Sequence, residues 1–112
     1  TKALLSVPLP HDLDNTANLK VVFAASMSGA TDTPLMEHEV YFNAGDTDCA
    51  GADPEVSGTA RAEYTGTVLA ADVAAPGAEV TVAFGPKAGE LGTDDLLLRS
   101  VKLEYTGKTL TA

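Results

Sequence analysis

Apolar residues recur at every second position in several short stretches of this chain, and each stretch is bounded by Gly, Pro, Asn or Asp. That period places successive side chains on opposite faces of an extended backbone, which a helix cannot use, so the pattern predicts half-buried β-strands. Leu19, Val21, Phe23 and Ala25 alternate with Lys20, Val22, Ala24 and Ser26, a second face so weakly polar that the strand is expected at the centre of a sheet. His38, Val40 and Phe42 alternate with Glu39, Tyr41 and Asn43. Ala60, Ala62, Tyr64, Gly66 and Val68 alternate with Arg61, Glu63, Thr65 and Thr67, and Val80, Val82 and Phe84 continue the theme up to Gly85-Pro86.

The last stretch, residues 95–105, changes phase. Leu96 and Leu98 hold one parity while Val101, Leu103 and Tyr105 hold the other, and a β-bulge near Arg99-Ser100 reconciles them. An N-terminal strand over residues 3–7 ends at Pro8 and Pro10, which cannot donate to a ladder and so favour an edge. The one helical candidate, residues 70–73, is too short to be more than a single turn. Short strands at close spacing predict an all-β antiparallel sandwich or barrel with almost no helix.

A length of 112 residues suits one domain. The expected organisation is residues 1–10 as an extended arm or first strand, then residues 11–112 as one sandwich. Only 5% of residues are aromatic and none is Trp, so Ala, Val and Leu fill the core, and association with a partner would add to a thin margin. The net charge of −9 argues against nucleic acid, whose phosphates need clustered cations, and against an anionic membrane surface. Cys49 alone cannot form an internal disulfide, which fits folding in a reducing cytoplasm. No apolar run approaches the roughly 18 residues of a membrane span, and the first ten residues lack the apolar core of a signal peptide.

Few residues carry a chemical signal. Asp46, Asp48, Asp53 and Glu55 form the densest acidic cluster, which could wrap Ca²⁺, but their spacing departs from the EF-hand pattern, and turn formation is the favoured reading. His11, Asp12, Asp14, Asn15 and Asn18 lack a nucleophile and read as a capped turn. His11 and His38 lie too far apart in sequence for a zinc pair. Cys49 sits among carboxylates, which raise a thiol pKa. Ser28-Gly29 and residues 85–92 read as turns, because neither leads into a long helix whose N-terminus could hold a phosphate. Tyr64 and Tyr105 are assigned to the core, and Tyr41, on the polar parity, is the best candidate for a ligand contact. No enzyme and no cofactor is expected.

The phrases LPHDLDNTANLKVVFAASMSGATDTP, EVYFNAGDTD, GTARAEYTGTVLAADVAAPGAEVTVAFGP and GTDDLLLRSVKLEY resemble small jelly-roll virion proteins of tailed bacteriophages, the decoration or cement proteins of the capsid. The resemblance implies a jelly-roll sandwich with Greek-key connections. It also implies a homotrimer made in the host cytoplasm, which binds the major capsid protein on the outside of the head and stabilises the shell without covalent bonds. Within residues 1–10, Leu4, Leu5, Val7 and Leu9 are the expected interface, by strand addition or simple burial. The alternative reading is a host-recognition or carbohydrate-binding module of the virion, with Tyr41 and the loops over 45–59 and 87–94 at its rim.

Overall fold

The computed structural model describes residues 2–108, so Thr1 and residues 109–112, the outermost parts of the two expected segments, lie outside the described residues. Six strands form two antiparallel three-stranded sheets: β1 (Ala3–Pro8), β2 (Leu19–Met27), β3 (Met36–Phe42), β4 (Ala62–Val68), β5 (Glu79–Pro86) and β6 (Leu96–Glu104). One sheet has the order β1-β5-β3 and the other β4-β2-β6. Every connection therefore crosses from one sheet to the other. No two strands adjacent in sequence pair, which is why the chain carries no two-residue hairpin signal.

The chain is thus an all-β antiparallel sandwich. A jelly roll calls for eight strands; the described residues supply six. The short helical candidate is a single 3-10 turn, Ala70–Asp72. No helix among the described residues is long and apolar enough to cross a membrane.

The expected central strand is central: β2 pairs with β4 on one side and β6 on the other. Its inner residues Val21, Phe23 and Ala25 meet Val40, Val80 and Val82 of the opposite sheet in a core of mostly small side chains. Its outer residues Val22, Ala24 and Ser26 are buried as well. Lys102 of β6 reaches Glu63 of β4 at 3.2 Å, so an ion pair arches over β2 and its aliphatic stem roofs the small side chains below. The other sheet repeats the device, because Lys2 reaches Glu39 at 2.9 Å across the strand that carries buried Ala83.

The phase change in the last strand is a bulge. Ala24 faces Ser100 and Ala25 faces Leu98, which leaves Arg99 as the extra residue. It turns Leu96 and Leu98 onto the same inner face as Val101 and Leu103.

Candidate functional site

The acidic loop after β3 is a strap, and its carboxylates do not converge. Asp48 Oδ1 accepts from Val40 N at 3.0 Å and from Ala50 N at 2.9 Å. Asp53 Oδ1 accepts from His38 N at 3.1 Å. Main-chain bonds continue the pairing, with Met36 N donating to Pro54 O and Val56 N to Pro34 O. Two side chains and a short bridge thus stand in for a fourth strand on the free edge of β3. Asp48 and Asp53 serve as acceptors within the loop, in keeping with the turn-forming reading, and Asp46 and Glu55 join them in no group of three or more metal ligands among the described residues.

Beneath the strap lies His38, whose side chain is fully buried. Nδ1 is 2.9 Å from Asp53 Oδ1, Nε2 has no hydrogen-bond partner among the described residues, and the ring meets Phe23 edge-on at 5.8 Å. Nε2 points at Gly66 of β4, where a Cβ would overlap it. Glycine here is required by the approach of a ring from the opposite sheet. Neither histidine joins a zinc set among the described residues.

A second acidic pair escaped the sequence reading. Asp94 Oδ2 accepts from Thr31 N and Asp32 N, each at 2.8 Å, while Asp32 Oδ2 accepts from Thr93 N and Asp94 N, each at 2.7 Å. The two carboxylates clasp the β2–β3 and β5–β6 loops reciprocally. Amide donation from Asp94 and Thr93 holds the Asp32 carboxyl below its ordinary range. The partners are about sixty residues apart, so only an alternation-independent contact map could have joined them.

Asp14 behaves as the capped turn expected of it, accepting from Thr16 N at 2.9 Å, and Asp12 accepts from Tyr105 OH at 3.1 Å. The Cys49 thiol is pushed up by burial first, then by Asp72 and Asp48. The tyrosines are redistributed. Tyr41 is half-buried and donates its OH to Glu39 at 2.7 Å, a bond that pushes its pKa up to about 12. Tyr64 does pack against the core, with its OH bonded to Ser57 O. Tyr105, expected inside, is the exposed one at 41%, because it lies one residue past the end of the edge strand β6.

Residues 3–8 are the first strand of the sandwich, paired along β5. The four expected interface residues therefore separate. Leu9 is 3% exposed and belongs to this chain's own core, which withdraws it from any partner. Leu5 and Val7 are half-buried on the inner face, and Leu4 stands outward at 74% exposure.

Where β1 and β6 begin, at the end of the sandwich, the core is not closed. A cleft of about 240 Å³ opens there, lined by Ala3, Phe84, Pro86, Leu91, Leu96 and Leu98, with Met36 at its floor. Leu98 faces inward by register yet remains 37% exposed. The corresponding inward residues of β3 and β5, Val40 and Val82, are fully buried. Comparison with protein-family models, with curated proteins and with solved structures returned no match.

Proposed function

We propose that this chain is a structural protein of a phage virion that docks on the outside of the head shell and stabilises it through noncovalent contacts with the major capsid protein. The observation that carries this reading is the corner cleft. Every side chain that lines it is apolar, and it opens at an end of the sandwich next to the partly exposed Leu98. Small-molecule sites occupy about 300–1,000 Å³ and bring convergent polar groups. A cleft of about 240 Å³ without such groups instead suits one or two apolar side chains of a protein partner.

The remaining surface fits the same role. A charge of −9 keeps the outward side of a crowded shell hydrated and its copies apart. The resemblance to decoration proteins supplies the class of partner. Tyr41, the anchor of the carbohydrate reading, is tied to Glu39 and half-buried, which leaves that alternative without a supporting contact.

Virions that encode this chain should carry it in many copies, and heads assembled without it should rupture at lower temperature. Added back, the wild-type protein should cosediment with those heads and restore their stability, while a folded Leu98→Asp variant should not. Equal rescue by Leu98→Asp, or a few copies confined to the tail, would defeat the proposal.

A further inference from the structure

Four strand edges end the two sheets, and three are protected. The edge of β3 lies under the strap at 45–59. That of β4 accepts Gly51 N–H at Thr67 O and carries Glu63. The edge of β6 holds the Arg99 bulge and Lys102, both of which hinder addition of another strand. Among the described residues the edge of β1 has none of these. Residues 3–8 contain no charge and no bulge, and Leu4 is the most exposed large apolar side chain in the described chain.

The register fixes which backbone groups are free. Leu9 N donates to Ala78 O at 2.7 Å, one step beyond the β1–β5 ladder, so the odd-numbered residues of β1 bond β5. On the other side of β5, Asn43 N donates to Glu79 O, which confirms that the even-numbered residues of β5 face β1. The N–H and C=O groups of Leu4 and Ser6 consequently point away from the sheet. Pro8, also even-numbered, has no N–H to leave unpaired.

We propose that β1 pairs antiparallel with β1 of a second copy of this chain, about a two-fold axis through Leu5, to give a continuous sheet of order β3-β5-β1-β1-β5-β3. The proposal stands independently of the virion reading. Leu4 and Ser6 exchange main-chain bonds with the partner's Ser6 and the partner's Leu4. On the inner face Leu5 meets the partner's Leu5, and Ala3 meets the partner's Val7, side chains that are half-buried or exposed in the single chain. The charges agree with this register. Lys2 of each copy lies opposite the partner's uncharged Pro8 and stays paired with Glu39 of its own chain, so this register brings no like charges together. In a chain of −9, a strand free of carboxylates is the edge two copies can share with least repulsion. The pairing is isologous and closes after two copies, in contrast to the trimer that the resemblance implies.

Light scattering and sedimentation of the full chain from about 1 to about 500 µM should show a monomer–dimer equilibrium with no larger species. Amide exchange at high concentration should slow at Leu4 and Ser6, while Leu5, already bonded to β5, is protected throughout. Ser6→Pro removes a donor that the β1–β5 ladder does not use, and it should raise the dimer Kd by about 100-fold or more. Leu4→Lys, at a side chain that is 74% exposed in the single chain, should weaken the dimer in the same direction. A monomer at every concentration, a trimer, or a dimer whose Kd is unchanged in folded Ser6→Pro would overturn the proposal.

Discussion

Gly66→Ala offers the most discriminating test of how the two sheets meet. Taken alone, alanine in place of glycine inside a strand is stabilising by roughly 0.5–1 kcal/mol, because the unfolded chain loses freedom. Here the added Cβ would overlap His38 Nε2 and stand 2.5 Å from Cε1 and 3.1 Å from Cδ2, well inside the 3.4–4 Å of ordinary contact. The ring cannot simply step aside, since Asp53 holds Nδ1 at 2.9 Å and Phe23 packs on its edge. Forcing a core apart by a methyl costs about 1–3 kcal/mol and a displaced His38–Asp53 bond adds about 1 kcal/mol, so after the entropic gain a net loss of about 1–3.5 kcal/mol is expected. At roughly 4 °C per kcal/mol for a domain near 100 residues, Tm should fall by about 4–14 °C. His38→Val removes the obstructing ring atoms, and in that background Gly66→Ala should become neutral or mildly stabilising. Urea unfolding of the four proteins completes the cycle, with an expected coupling of about 3 kcal/mol. If Gly66→Ala costs the same within about 0.5 kcal/mol in both backgrounds, His38 does not dictate the glycine.

Asp48→Ala should destabilise the domain by about 1–2 kcal/mol in urea, because Val40 N and Ala50 N lose their shared acceptor, and Val40 should exchange its amide proton faster. The Asp32 carboxyl is depressed in the folded chain from an ordinary 3.8, so its contribution is fully present above that value and lost as pH falls through the lower, folded one. Tm should therefore stay flat on moderate acidification and drop below about pH 4, with a shallower drop in Asp32→Asn. Tyr41 should ionise at about 12 in an absorbance titration of the folded protein, and Glu39→Gln should bring it back toward 10. A Tyr41 that still ionises at about 12 in that variant would remove Glu39 as the cause.

What the sequence disclosed follows from the range over which each interaction acts. Alternation is local, so the placement of β2, the inward parity of Val40 and Val82, and the bulge at Arg99 could all be read from neighbours along the chain. Pairings were hidden, because each strand crosses to the other sheet and every ladder joins residues far apart. That distance also concealed the Lys102–Glu63 and Lys2–Glu39 arches, the Asp32–Asp94 clasp and the dependence of Gly66 on His38.

The same distinction explains why the N-terminal segment divided against expectation. Leu4, Leu5, Val7 and Leu9 are alike in hydropathy, and nothing local distinguishes a residue that fills its own core from one that faces a partner. The β1–β5 register makes the distinction: it turns Leu5 and Val7 inward and Leu4 outward, and Leu9 joins the core where the chain leaves the strand. The consequence reaches function. An apolar N-terminal stretch is a sign of a partner only for the positions its own sheet leaves over, here the main chain and side chain of Leu4, the main chain of Ser6 and the rim of the cleft at Ala3. Those positions adjoin, so a strand edge and a pocket for side chains are presented together, which is the combination that lets an extended segment bind with both affinity and register.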